Sequence, residues 1–93
     1  MADVEVFVDD DRAYELWLIR NRSGWVINTT REPSASYLIL HTASCTSISG
    51  RPARGERWTA DYAKVCGPTR KALSGWAAAQ IGVEPTTCGL CMA

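Results

Sequence analysis

Two short stretches restrict this chain more than any others. They are His41-Thr42-Ala43-Ser44-Cys45 in its middle and Cys88-Gly89-Leu90-Cys91 near its end. A His-x3-Cys pair and a Cys-x2-Cys pair supply four nitrogen and sulfur ligands, the set that a closed tetrahedral zinc site takes. Each pair is short enough for both side chains to reach one ion without backbone strain. Gly89 suits the second turn, because a residue without Cβ lets the backbone approach a metal closely. About forty residues separate the pairs. An ion held by both would pin the end of the chain to its middle and make one closed loop of everything between. The spacing therefore predicts one structural Zn2+ on His41, Cys45, Cys88 and Cys91.

Other uses of the sulfur stay open. The cysteines could pair as disulfides, or serve as ordinary buried thiols. The start Met1-Ala2-Asp3-Val4-Glu5 is acidic and has neither the basic nor the apolar region of a secretory leader. That points to the cytoplasm, where thiols stay reduced and such spacing means metal. One further cysteine, Cys66, competes with the single histidine for a place in the shell. Cys45, Cys66, Cys88 and Cys91 satisfy the count as well. His41 is favoured because it is a local partner of Cys45, whereas Cys66 stands alone.

The rest of the chain supplies the scaffold. Val4-Glu5-Val6-Phe7-Val8 alternates and is β-branched, so it reads as a short strand. Asp9-Asp10-Asp11 offers an N-cap and negative charge to a following helix. Three adjacent carboxylates are too few oxygens for a hard cation, so a second metal site there is disfavoured. Tyr14, Trp17, Leu18 and Asn21 share one helical face, and Gly24 reads as the stop. Trp25–Thr30 and Ser36–His41 read as antiparallel strands joined by a turn over residues 31–35. Tyr37, Ile39 and His41 fall on one face of the second strand, with Leu38 and Leu40 on the other. A lone histidine at a strand end is often a hydrogen-bonded core residue. Cys45, four positions on, lifts His41 above that reading. A further short strand lies within Thr59–Cys66, with Cys66 as a core thiol. Thr69 then caps a second helix bearing Leu73, Trp76, Ala77 and Gln80 at helical spacing, and Gly82 closes it. The fold class is α+β: a small antiparallel sheet with two helices, stapled by one structural zinc site.

Length restricts this to a single domain over residues 1–93. So short a chain buries a limited core, and a metal cross-link commonly supplements it. The apolar fraction and four tryptophans exclude a disordered chain. No apolar run approaches the roughly 18 residues of a membrane span.

Net charge is zero, but the charges are segregated. Residues 1–19 carry Asp3, Glu5, Asp9, Asp10, Asp11 and Glu15 against Arg12 alone. Residues 20–71 carry Arg20, Arg22, Arg31, Arg51, Arg54, Arg57, Lys64, Arg70 and Lys71 against Glu32, Glu56 and Asp61. A polyanion-facing side is one reading of this asymmetry. An acidic start folded back over a basic middle is the other. Arg51, Arg54 and Arg57 lie in a Gly- and Pro-containing loop that ends at Trp58. Guanidinium forks beside a flat aromatic ring suit phosphate contact and base stacking. Arg31, Arg70 and Lys71 would join them if the fold brings them near. The plainer alternative is a solvated loop whose tryptophan tucks into the core.

A strand running into His-x3-Cys, a later helix and a closing Cys-x2-Cys resembles the Ada-type metal-binding domain and its relatives. These are small zinc modules, related in pattern to treble clefs, that recur in bacterial DNA-repair and nuclease proteins. The matching stretches are Tyr37–Cys45 and Leu73–Cys91, under half of the chain. The resemblance implies a structural zinc ion and a link to nucleic acid in a repair, nuclease or phage-defence setting. In that family the first ligand is a cysteine that accepts a methyl group. Here the position is His41, so that chemistry is expected to be absent. The spacing between the pairs is also longer.

Two function classes follow. One is a non-catalytic, zinc-stabilised module that binds nucleic acid through Arg51, Arg54, Arg57 and Trp58. The other is a protein-interaction module whose tryptophans anchor a partner. An enzyme is disfavoured, since four N/S ligands close the zinc shell and there is no second histidine, phosphate-binding loop or nucleophile elbow.

Overall fold

The computed structural model describes residues 4–49 and 58–92. Its elements in chain order are β1 (Glu5–Phe7), α1 (Asp11–Arg20), β2 (Trp25–Ser34), β3 (Tyr37–Thr42), β4 (Tyr62–Gly67), α2 (Arg70–Gln80) and β5 (Thr86–Thr87). The sheet order is β1-β4-β2-β3-β5, so β2 is the central strand. The first three pairings are antiparallel, and β5 joins β3 in parallel. The architecture is α+β, as the sequence predicts, with a parallel edge added to the antiparallel sheet.

β2 shows why two helices are needed. Val26 and Ile27 are consecutive, so they point to opposite faces, yet both are fully buried. Val26 packs with Tyr14 and Trp17 of α1 and with Ala43, Cys45, Ile48, Trp58, Cys66 and Cys88. Ile27 packs with Leu38, Leu40 and Val65 and with Leu73 and Ala77 of α2. Each helix covers one face. The sheet separates two small apolar clusters, and the cysteine-bearing turns belong to the α1 side.

Local chemistry sets the helix ends. The Asp10 carboxylate accepts from the Ala13 amide at 3.1 Å and starts α1. Thr69 does the same for α2, accepting from the Ala72 amide at 3.0 Å. Gly82 ends α2 with φ +91°, where a side chain is strained, and its amide donates to the Ala77 carbonyl at 2.9 Å. α1 stops earlier than the Gly24 reading predicts. Asn21 is its C-cap, and its side-chain amide donates to the Trp17 carbonyl at 2.9 Å. Gly24 serves packing instead. A Cβ there would lie 2.7 Å from Trp17 Cη2 and 3.0 Å from the Gly67 carbonyl oxygen.

Two further elements depart from the sequence reading. Residues 31–34 of the turn read over 31–35 belong to β2, and the reversal comes after Ser34. The β2–β3 register shifts between Thr29 and Ser34. Side-chain hydroxyls serve backbone groups there: Thr29 Oγ1 meets both the amide and the carbonyl of Ser34, and Thr30 Oγ1 donates to the Glu32 carbonyl. Pro33, which lacks an amide, is tolerated at such an irregularity. The other departure is β5, a strand with no counterpart in the sequence reading. It brings the tail alongside β3, where the Cys88 amide donates to the Leu40 carbonyl at 2.9 Å. Among the described residues no helix is long and apolar enough to cross a membrane.

Candidate metal centre

His41 is the penultimate residue of β3, opposite Val26 of β2, on the face that α1 covers. Beyond Thr42 the chain turns sharply. The Cys45 amide donates to the Thr42 carbonyl at 3.0 Å, and the Ala43 amide to the Gly24 carbonyl at 3.0 Å. Those two bonds place Cys45 under the strand end. The second pair arrives with β5. Cys88 is fixed by its bond to Leu40, and the Met92 amide closes the next turn on the Cys88 carbonyl at 3.0 Å.

The result is a cluster of four donors. One ring nitrogen of His41 and the sulfurs of Cys45, Cys88 and Cys91 all lie within 4.8 Å of one another. Cys45 Sγ and Cys88 Sγ are 4.0 Å apart. His41, Cys45 and Cys88 are buried, and Cys91 is half-buried. Each sulfur also faces a hydrogen-bond partner from outside the cluster. The Thr42 amide donates to Cys91 at 3.4 Å and the Leu90 amide to Cys88 at 3.3 Å, while the Ser47 hydroxyl lies 2.9 Å from Cys45. Donors aimed at sulfur favour the thiolate, the form that binds metal.

The electrostatics agree with that chemistry in part. Burial, then the charge of Lys64, pushes the His41 imidazole down to about 4, so it is neutral at physiological pH. Burial opposes ionisation of Cys88, but the Cys91 and Leu90 amides, with the Cys91 and Cys45 thiols, outweigh it and hold the thiol below its ordinary value. Cys45 stands above its ordinary value, because burial exceeds the help it receives from Ser47. A cation among these groups would shift all of that toward the ionised form.

The test of fit lies at His41. Its Nδ1 lies 3.2 Å from the Ser47 hydroxyl. Its Nε2 is buried and has no hydrogen-bond partner, alone in this among the described side-chain nitrogens and oxygens. Such a group costs about 1–3 kcal/mol when left unpaired. A metal ion held by His41, Cys45, Cys88 and Cys91 would give the lone pair a partner, and the donor set fits one.

Cys66 lies outside this group. It sits opposite Val26 on β4, and His41 sits opposite Val26 on β3, so the two are separated by the width of the central strand. Two strand spacings amount to roughly 10 Å. Cys66 is fully buried, and burial pushes its thiol well up. It is a core thiol.

The predicted nucleic-acid residues fare differently. Arg51, Arg54 and Arg57 lie outside the described residues. Trp58 is not the open stacking face that the sequence suggests. Only 7 % of it is exposed, and its ring meets the edge of Tyr14 with centroids 6.4 Å apart. Its amide donates to the Asp11 carboxylate at 2.6 Å, and its carbonyl accepts from Lys64 Nζ at 2.8 Å. Apolar burial against α1 claims the ring. Arg31 is bound to Asp9 by a bidentate ion pair and donates to the Ala60 carbonyl. Here the acidic start does fold back on a basic residue. Arg70 and Lys71 follow β4, whereas Arg31 lies near its beginning, so the fold does not gather these cations.

Two site-adjacent residues escape a sequence reading. Lys64 is 2 % exposed, donates to Asn28 Oδ1 at 2.7 Å, and lies 5.6–6.0 Å from the ring centroids of Tyr14, Trp58 and Tyr62. Burial pulls its ammonium down to about 8 against the pull of Asp11. The available signal was its place between Tyr62 and Cys66 on one strand face. Ser47, the neighbour of both His41 and Cys45, offered none.

The fold and the cluster define an α+β module with a four-donor candidate metal centre. No family model, curated protein or solved structure matches the chain.

Proposed function

We propose that this protein is a non-catalytic module whose fold is held by one structural zinc ion, and that it engages nucleic acid through its arginine-bearing loop. The observation that carries the metal reading is the cluster itself, a His41 ring nitrogen and three sulfurs within 4.8 Å of one another, together with a His41 Nε2 that is buried and has no partner. One nitrogen and three sulfurs make a donor set that suits zinc over harder ions, and four such ligands are typical of structural sites. The ion would act as a cross-link. With all four places taken by side chains, none is left for water or substrate. On this reading the likeness to Ada-type domains extends to the structural ion and excludes methyl transfer.

Metal content of the purified, reduced protein tests this directly. One zinc per chain is expected, lost in His41→Ala and kept in Cys66→Ser. Metal-free protein from a preparation never exposed to chelator would overturn the proposal.

The nucleic-acid part draws on Arg51, Arg54 and Arg57 of the sequence. Ile48 and Trp58, on either side of them, are both buried in the cluster that includes Cys45 and Cys88. Fluorescence anisotropy with short DNA and RNA, across a salt series, is the assay. Affinity should fall steeply with salt, and replacing all three arginines by alanine should reduce the log–log slope by about 3. No binding even at low salt would sink it.

A second reading is a protein-interaction module. The tryptophans do not favour it: Trp17 and Trp58 are buried, and Trp25 and Trp76 are half-buried. The exposed Leu16 and Ile19 on α1 do. A dimer or heteromer in size-exclusion chromatography that survives the arginine substitutions but not Ile19→Asp would support that reading instead.

A further inference from the structure

The His41 ring and the Cys45 sulfur share a neighbour. Ser47 Oγ lies 3.2 Å from His41 Nδ1 and 2.9 Å from Cys45 Sγ. A hydroxyl carries one proton, so it can donate in only one of these contacts. Two arrangements satisfy both. In the first, Nδ1–H donates to Oγ and the hydroxyl donates to the sulfur. In the second, the hydroxyl donates to Nδ1 and a Cys45 thiol donates to Oγ.

The arrangements differ at the far side of the ring. The first leaves Nε2 with a free lone pair. The second puts a hydrogen on Nε2, which is buried and has no acceptor. It also requires Cys45 to keep its proton. Neither group could then ligate an ion. Only the first arrangement leaves both His41 and Cys45 in a form that can bind a metal.

We propose that Ser47 is a positioning residue for the metal centre: it fixes His41 as the Nδ1–H tautomer, hydrogen-bonds the Cys45 sulfur, and so directs the ion to Nε2. The inference rests on the reading of His41, Cys45, Cys88 and Cys91 as a metal site. Outer hydrogen bonds of this kind orient metal-binding imidazoles generally, and losing one weakens metal affinity about 10–100-fold.

The turn that carries Ser47 is well fastened. The Ile48 amide and the Ser49 hydroxyl both bind the Cys45 carbonyl, at 3.2 Å and 2.8 Å. The Tyr14 hydroxyl donates to the Ile48 carbonyl at 2.6 Å, which ties the turn to α1. Ser47 itself is exposed, so removing its hydroxyl opens no cavity in the core. Its effect is confined to its two hydrogen bonds.

The experiment combines long-range 1H–15N spectra of the zinc-loaded protein with zinc affinity measured against a chromophoric chelator. His41 is the only histidine in the chain, so its two ring nitrogens are assigned without ambiguity. Wild type should show a protonated Nδ1 and a metal-bound Nε2, with the Nδ1 proton protected from exchange with water. Ser47→Ala should bind zinc about 10–100-fold more weakly and lose that protection. Ser47→Thr keeps the hydroxyl and should restore both. Zinc on Nδ1 in wild type, which needs no variant to detect, would overturn the proposal. So would an affinity for Ser47→Ala within twofold of wild type. Wild type that takes up no zinc at all would remove the metal centre itself, and this inference with it.

Discussion

His41 is held neutral by its surroundings. In the fold its imidazole takes a proton only near pH 4, because burial and then the Lys64 charge oppose it. In the unfolded chain it does so near 6.5. Between those values the unfolded state binds more protons, so stability rises with pH there. The contribution is complete above about 6.5 and is lost as pH falls toward 4. Thermal melts of chelator-treated protein should fall across that window in wild type and be flatter in His41→Gln. Superimposable profiles would show that the buried ring does not govern acid sensitivity. Lys64 is the mirror case, a cation buried with polar partners and three aromatic rings around it. The type of residue at each of these positions was plain in the sequence. Its environment was not, because burial of a polar side chain depends on what other segments bring to it.

Helices and strands were the more legible layer. α1 and α2 follow their apolar spacing, and Asp10 and Thr69 cap them through side-chain oxygens that reach only three residues ahead. Such contacts are local, so sequence reveals them. Gly24 reads as a helix stop for an equally local reason, and the structure gives it a long-range one. Its missing Cβ makes room for Trp17 and for the Gly67 carbonyl on β4. The Trp17 ring is buried and cannot swing clear cheaply. Gly24→Ala should therefore cost about 1–3 kcal/mol, as overpacking does. Urea unfolding should show a lower midpoint with an unchanged slope. An unaltered midpoint would mean that the loop yields. The extension of β2 through Ser34 and the two-residue β5 are not legible in the sequence, because hydroxyl bonds and cross-strand pairing, rather than periodicity, create them.

At the scale of the whole molecule, the segment carrying Cys88 and Cys91 is joined to the strand that carries His41. β5 and the 88–91 turn reach the sheet through one short parallel pairing and the Cys88–Leu40 bond. A bound ion would lock that junction and close the long loop between the ligand pairs. An ion present at a thousand times its dissociation constant adds about 4 kcal/mol. For a domain of this size that is a melting shift of about 15–30 °C. Differential scanning fluorimetry with and without chelator should show it, and restored zinc should reverse it; identical curves would mean the cluster does not support the fold. The ligand types, both helix starts and the α+β class could be read from the chain, because spacing within a few residues decides which groups can meet. Tertiary structure alone decided that His41 rather than Cys66 joins the sulfurs, that Trp58 turns inward, and that Arg31 lies apart from Arg70 and Lys71. Each of those outcomes depends on which strand lies beside which, and strand order is set by the burial of both sheet faces at once.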